Sequence, residues 1–284
     1  MAFVQADVCK QEEMEQLFKQ YSFDGVIHLA SLKSVSESIQ QPLVYYRNNV
    51  NATLTLLACM QKRGIKRFVY SSSATVYGAA NAPVPESART GSCINPYGWT
   101  KYMCEQIIRD YAVTDPHFSA VVLRYFNPVG AHDSGLLGED PKDTPNNLMP
   151  LIVRAAQGKS VLEVFGDDYD TSDGTGVRDY IHVMDLAEGH LAALAYTEGH
   201  SGIESFNLGS GRGYSVLELI QTYEQTNQLR VPYKITRRRP GDIPVSFADI
   251  KKAKRILGWQ PERSLEHMCR SAYQWGEASS ILKQ

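Results

Sequence analysis

The sequence predicts an α/β fold, a doubly wound parallel sheet followed by a smaller α/β domain, and three observations predict it. Short apolar runs alternate with helix-length amphipathic segments through the first half of the chain. Those runs are apolar on both faces, as strands buried in a parallel sheet require. After Asn127 the character shifts to loops rich in Gly, Pro and Asp (135–150 and 165–176) between shorter elements, and ligand contacts usually lie on such loops. In order, Phe3 to Gln5 reads as a strand, Lys10 to Gln20 as a helix and Gly25 to Leu29 as a strand. Pro42 to Arg63 reads as a helix, Arg67 to Tyr70 as a strand, Tyr97 to Val113 as a helix and Ala120 to Arg124 as a strand. In the second half the expected elements are a helix from Leu148 to Gln157, a strand from Asp179 to His182, a helix from Asp185 to Tyr196, a strand from Ser205 to Leu208 and a helix from Val216 to Thr226. The expected domains are 1–128 and 129–284, with 177–197 returning to pack on the first.

The 284 residues, 43% apolar, suffice for a sizeable core, and 29 Lys and Arg against 31 Asp and Glu leave a net charge of −2. That balance lacks the basic footprint of a nucleic-acid binder. No apolar run reaches the roughly 18 residues of a membrane span, so neither nucleic acid nor membrane is expected as a partner. Cys9, Cys59, Cys93, Cys104 and Cys269 are odd in number and scattered, which argues against a disulfide framework or a zinc site and for a reducing, cytoplasmic setting. The N-terminus lacks the basic start and apolar stretch of a signal peptide.

The chemistry concentrates in Tyr97-Gly-Trp-Thr-Lys101 and in Ser71-Ser72-Ser73-Ala74-Thr75, which directly follows a strand. Residues four apart share a helix face, so the Tyr97 phenol and the Lys101 ammonium can occupy one site. A nearby cation favours the phenolate and would let the tyrosine act as a general base, with a serine hydroxyl holding the substrate oxygen. The bare spacing is weak, since an arbitrary Tyr-x-x-x-Lys is more often a surface pair. Gly209-Ser-Gly-Arg-Gly-Tyr214 has the outline of a dinucleotide fingerprint, but its sixth position is tyrosine, so it reads as a tight strand-to-helix turn. His28, in an apolar strand, reads as a core histidine.

Context adds specificity. Phe68-Val-Tyr-Ser-Ser-Ser-Ala-Thr-Val-Tyr-Gly78, the Tyr97–Lys101 helix and Leu123-Arg-Tyr-Phe-Asn-Pro-Val-Gly130 resemble the extended short-chain dehydrogenase/reductases, and within them the UDP-glucose 4-epimerase family. The resemblance runs from Phe3 to about Trp275, through His28-Leu-Ala-Ser-Leu-Lys33, Tyr45–Asn51, Pro145–Pro150, Gly174–Leu186 and Arg238-Arg-Pro-Gly-Asp242. It implies a Rossmann-like first domain with NAD as cofactor and a UDP-sugar as substrate, inverted at carbon 4 through a keto intermediate. Tyr97 would be the base, Lys101 would depress its pKa and hold the nicotinamide ribose, and Ser73 and Thr75 would bind the reacting hydroxyl. Asp7 and Val8 would lie near the adenine, Leu29, Ala30 and Lys33 along the pyrophosphate, and Phe126 beside the nicotinamide; Asn48 would also hold NAD. Leu29 stands where a bulkier residue such as phenylalanine is frequent. The UDP positions are Asn127, Asn147, Leu148, Arg178, Arg239 and Asp242, and Ser246 matches the position that limits the sugar pocket. A small serine there leaves room for an N-acetyl group. The resemblance also suggests a homodimer through the helices at 42–63 and 97–113.

Physical chemistry supports part of this assignment. Guanidinium groups bind a pyrophosphate bidentately, which suits Arg178 and Arg239, whereas Arg237 is expected to be solvated. Asn147 also fits a plain helix N-cap. Dehydratases of the superfamily place an Asp-Glu pair after the hydroxyl residue, and Ser73-Ala-Thr75 has none. Epimerisation of a pentose or uronate nucleotide stays open.

Family members begin with a strand, a Gly-x-x-Gly-x-x-Gly turn and a helix that receives the NAD pyrophosphate. No such spacing occurs in these 284 residues, and Met1 aligns about 50 residues into the fold. The strand at Gly25 is therefore expected to end the sheet with an unpaired edge. As a piece of an active 4-epimerase the chain is expected to bind NAD very weakly and show little or no epimerase activity; the alternative is a non-catalytic remnant that at most binds a UDP-sugar or a partner subunit.

Overall fold

A computed structural model describes residues 2–141, 145, 147–239 and 241–282, with no side-chain description for 280–282. Asn146 and Pro240, inside two of the matched blocks, lie outside the described residues.

In chain order the first elements are α1 (Gln11–Gln20), β1 (Gly25–His28), α2 (Val35–Gln40), α3 (Pro42–Arg63), β2 (Arg67–Ser73), α4 (Pro96–Thr114) and β3 (Ser119–Tyr125). The later ones are β4 (Asn127–Val129), α5 (Leu148–Ala156), β5 (Leu162–Phe165), β6 (Val177–Arg178), β7 (Tyr180–His182), α6 (Val183–Tyr196), β8 (Gly202–Leu208), β9 (Tyr214–Ser215), α7 (Val216–Asn227), β10 (Tyr233–Thr236), β11 (Val245–Ser246), α8 (Lys251–Leu257) and α9 (Leu265–Leu282). Contacts divide the chain into two compact units. One takes Met1–Gly78, Ser87–Arg124 and His190–Phe206, and the other takes Ala79–Glu86, Tyr125–Gly189 and Asn207–Gln284.

The first unit is built on a sheet of order β1-β2-β3-β8, with β1 and β2 parallel in the register Gly25 to Arg67 through His28 to Tyr70. The alternation of apolar runs and helices thus gives the α/β architecture the sequence predicts. Its core joins Met14 and Phe18 of α1, Leu56 and Met60 of α3, Phe68 and Tyr70 of β2, and Ile108 of α4. Local signals set the helix ends. Pro42 occupies the first turn of α3, and Gly64 closes it in the left-handed region. Asn95 caps α4 by accepting from Gly98 N at 2.8 Å, just ahead of Pro96. β1 lies at one end of the sheet order, with Gly25, Val26 and Ile27 half-buried.

The strand expected at Phe3 to Gln5 does not form. Those residues pair with no strand among the described residues, and Phe3 is 91% exposed. An apolar run becomes a strand only when a neighbour takes its backbone N–H and C=O groups. α2 was not expected, although Ser34-Val-Ser-Glu37 is a helix-start pattern, and Ser34 Oγ accepts from Glu37 N at 3.3 Å.

Among the described residues the second unit carries three small sheets, β10-β5, β11-β6-β9 and β4-β7, around a core that includes Met149, Ile152, Val164, Tyr180, Leu219, Tyr223 and Met268. α7 opens on a reciprocal capping box between Ser215 and Glu218. The Tyr223 hydroxyl is buried in this core with no hydrogen-bond partner among the described residues. A buried unpaired hydroxyl costs about 1–3 kcal/mol. Tyr223→Phe is therefore expected to raise the thermal midpoint by about 2–4 °C for each kcal/mol recovered. A lowered midpoint in a calorimetric scan would contradict this reading.

Candidate active site

In the first unit the candidate residues gather on the β2 end and the inner face of α4. Lys101 is 1% exposed. Its ammonium donates to Ser31 Oγ at 2.8 Å, in the loop after β1, and to Ser71 O at 2.7 Å, in β2. Burial pulls its pKa down to about 8. One turn earlier, half-buried Tyr97 has its ring centroid 5.8 Å from the Lys101 ammonium. Burial pushes the phenol up, and a hydrogen bond with Ser73 works against that rise. The Ser73 hydroxyl meets the phenol, while the Lys101 ammonium bonds Ser31 and Ser71. Ser73 Oγ also accepts from Thr75 Oγ1 at 3.0 Å, so Ser73, Thr75 and Tyr97 form one polar cluster.

Beneath this cluster lies a buried charge network. Glu105, the next residue on the Tyr97, Lys101 stripe of α4, is fully buried. It accepts from Arg124 Nε at 3.0 Å and Nη2 at 2.7 Å, and from Ser72 Oγ at 2.6 Å. Arg124 also donates to the Tyr77 hydroxyl at 2.9 Å. The pair fastens α4 to β3 and, through Ser72, to the residue beside Ser73.

The loop after β1 is held by Asn49. Its side chain donates to Leu32 O and Thr100 Oγ1, each at 3.0 Å, and accepts from Leu32 N at 2.8 Å and Asn48 Nδ2 at 3.0 Å. Leu29, Ala30 and Lys33 on this loop are exposed, and Leu29 is 59% exposed. Asn48 is half-buried beside the Cys9 thiol, which donates to its carbonyl at 3.3 Å. Asp7 is exposed and accepts from Cys9 N at 2.9 Å, while Val8 packs on the core. Sequence reasoning chose Asn48 and missed Asn49 and Glu105. Both were accessible from helical spacing, Asn49 as a polar residue between Tyr45 and Ala52 on the buried face of α3, and Glu105 four residues after Lys101.

In the second unit, Asp242 gathers two of the arginine candidates. Arg239 Nε lies 3.2 Å from Asp242 Oδ2, with its guanidinium 4.4 Å from the Phe165 ring centroid, and Arg178 Nη2 lies 3.7 Å from Oδ1. Partly exposed pairs of this kind contribute at most about 1 kcal/mol, so a phosphate can take the guanidinium groups over. Arg238 turns away onto Asp168 and the Tyr169 ring, and Arg237 is exposed. Ser246 pairs with Arg178 across β11 and β6. Asn127 donates its side-chain N–H to Asp179 O at 2.9 Å, and Phe126 is buried. Asn147 is the N-cap residue of α5, but its side chain does not cap. It donates instead to Glu139 Oε1 at 2.9 Å, ahead of half-buried Leu148.

The glycine turn at 209–211 is occupied from within. The buried Asp179 carboxylate accepts from Ser210 N at 2.5 Å and Gly211 N at 3.1 Å, as a phosphate would in a dinucleotide turn. The sequence suggests a strand-to-helix turn, but the turn joins β8 to the two-residue strand β9, and α7 begins only after that strand.

The NAD dependent epimerase/dehydratase family model matches residues 1–209. The chain belongs to that family. Within it the relatives are UDP-glucose 4-epimerases. That of Pasteurella multocida is 50% identical over 275 residues, covering 96% of this chain and 81% of the relative, and that of Homo sapiens is 49% identical, covering 96% and 79%. The crystal structure of the Stenotrophomonas maltophila UDP-glucose 4-epimerase, with bound NAD and formylated UDP-arabinopyranose, has a TM-score of 0.96 at 48% identity, covering 99% of this chain and 84% of that one. The Bifidobacterium longum enzyme in complex with NAD+ and UDP has a TM-score of 0.94 at 49% identity, covering 98% and 83%.

NAD is the family cofactor, and the residues described here fit part of it. The buried Lys101 ammonium uses two of its three N–H bonds on protein acceptors, which suits a ribose hydroxyl as the third partner. No Gly-x-x-Gly-x-x-Gly turn occurs in these 284 residues to receive the pyrophosphate.

Glu105→Gln leaves the Arg124 charge buried without its counter-charge. It is expected to cost about 3–5 kcal/mol of unfolding free energy in urea titration. A loss below about 1 kcal/mol would contradict the network's structural weight.

Proposed function

We propose that this chain inverts the 4-hydroxyl of UDP-galactose and UDP-glucose with NAD as cofactor. The observation that carries the proposal is the pairing of Tyr97 and Lys101 on the buried face of α4, with Ser73 hydrogen-bonded to the phenol. NAD, when bound, supplies reversible oxidation of the sugar carbon, and Lys101, Asn48, Asp7, Val8, Leu29, Ala30, Lys33 and Phe126 are the residues that would hold it. Tyr97 takes the proton from the 4-hydroxyl as carbon 4 is oxidised, and returns one when the keto sugar is reduced on its other face. Ser73 and Thr75 hold the reacting oxygen, and Lys101 supports the phenolate when it forms. Arg178 and Arg239 clamp the nucleotide pyrophosphate, with Asp242, Asn127, Asn147 and Leu148 as further UDP-binding positions, so that UDP stays fixed while the hexose turns. Ser246 leaves room for an N-acetyl group, which extends the proposal to the UDP-N-acetylhexosamines.

A homodimer through α3 and α4 is part of the same reading, supported by exposed Leu43, Val44 and Leu54 on α3 and Met103 on α4. Five free cysteines suit a reducing, cytoplasmic setting. No helix among the described residues is long and apolar enough to cross a membrane.

Purified chain supplied with UDP-galactose and NAD is expected to form UDP-glucose at a rate that rises with added NAD. Tyr97→Phe is expected to lower kcat by at least about 100-fold. No product at saturating NAD, or wild-type turnover in the variant, would overturn the proposal. In the same assay, conversion of UDP-N-acetylgalactosamine is expected. Its absence both in the wild type and in Ser246→Ala would remove the extension to N-acetylated sugars.

A further inference from the structure

Asp179 is a fully buried carboxylate outside the candidate catalytic and nucleotide-binding residues. Four donors converge on it. Ser210 N at 2.5 Å and Ser210 Oγ at 2.7 Å reach Oδ1, while Gly211 N at 3.1 Å and Ala248 N at 3.0 Å reach Oδ2. The turn is shaped around it. Gly211 takes a positive φ of 73°, and a Cβ at Gly209 would lie 2.4 Å from Oδ2. Burial raises its pKa to about 6, against the opposing pull of these donors.

The backbone of the same residue reaches the nucleotide candidates. Asp179 O accepts from both the backbone N–H and the side-chain N–H of Asn127, at 3.0 and 2.9 Å. Asp179 N donates to Ser246 O at 3.0 Å, and Arg178 precedes it in the chain. One residue therefore fixes the main chain at three positions of the UDP-sugar site. The main-chain bonds are those of the β4–β7 and β11–β6 pairings, and the carboxylate adds to them by seating the same residue on Ser210, Gly211 and Ala248. Asn127, moreover, spends one side-chain N–H on this carbonyl, which fixes the orientation of its amide.

We propose that Asp179 is a positioning residue of the UDP-sugar site, its carboxylate seated in the Gly209–Gly211 turn so that Asn127, Arg178 and Ser246 are held in the geometry that receives the nucleotide sugar. The inference rests on the function proposed above and specifies which residue sets the binding geometry. It assigns Asp179 no contact with the substrate and no proton transfer. Asp179→Asn keeps the shape but replaces one accepting oxygen with an N–H₂ facing N–H donors. The effect belongs to binding, because the chemical step uses Tyr97 and Ser73.

The test measures UDP-glucose affinity by calorimetry, and KM and kcat for UDP-galactose, on the full chain with NAD present. Asp179→Asn is expected to raise Kd and KM at least tenfold while kcat stays within threefold of wild type. Ser210→Ala removes one donor and is expected to raise both constants about threefold in a folded protein, which decides the matter should Asp179→Asn fail to fold. Kd unchanged within the error of the titration in Ser210→Ala and within twofold in folded Asp179→Asn overturns the inference, as does a fall in kcat at constant KM. Wild-type chain that fails to bind UDP-glucose would instead defeat the proposed function, and this inference with it.

Discussion

A charged ammonium at 1% exposure must be neutralised or solvated from within the protein, and two protein oxygens do this for Lys101. It donates to Ser31 in the loop after β1 and to the carbonyl of Ser71 in β2, so a side chain of α4 ties together two segments brought side by side by the β1–β2 pairing. The rest of the first unit's candidate site follows from that geometry. Tyr97 lies one turn back on the same face, and Ser73 lies two residues beyond Ser71. A shift of α4 by one residue would break the two ammonium bonds and remove the phenol from Ser73 together.

Buried carboxylates give both units their rigidity at the candidate sites. Glu105 binds Arg124 through two nitrogens and takes the Ser72 hydroxyl as well, which satisfies a charge that would otherwise be costly to desolvate. In the second unit Asp179 takes four donors from two segments. The groups proposed to touch ligand are held more loosely. Arg178 and Arg239 sit on Asp242 at 3.7 and 3.2 Å in partly exposed pairs. Rigid support under exchangeable ligand groups is the arrangement expected where a polar clamp has to release and recapture a phosphate.

Much of this was legible in the sequence. The strand and helix rhythm of the first unit and the pairing of Tyr97 with Lys101 depend on local spacing, which a chain displays directly, whereas Arg178 and Arg239, distant in the chain, are implied by the family resemblance. The exception at Phe3 to Gln5 shows the limit, since β structure needs a partner that sequence spacing does not supply. Asn49, Glu105 and Asp179 were missed for a related reason. Their importance lies in which distant groups they meet, and Glu105 resembles a surface glutamate of a helix until Arg124 and Ser72 are known to face it. The glycine turn at 209–211 shows the converse. Its spacing suggests a phosphate site, and only the buried carboxylate next to Tyr180 shows which anion fills it.

The buried ammonium can be tested through proton linkage. With its folded pKa near 8 and its unfolded value near 10.5, Lys101 binds fewer protons in the folded chain between those limits, so its contribution to stability must grow as pH rises through that window. Urea unfolding of wild type and Lys101→Met at pH 8 and pH 10 isolates this term, because other titrating groups are common to both. The expected result is that the difference in unfolding free energy shifts toward the wild type by about 2 kcal/mol between the two pH values. A difference that stays constant would mean that Lys101 is solvated, and that the interior tie between α4, the β1 loop and β2 does not exist.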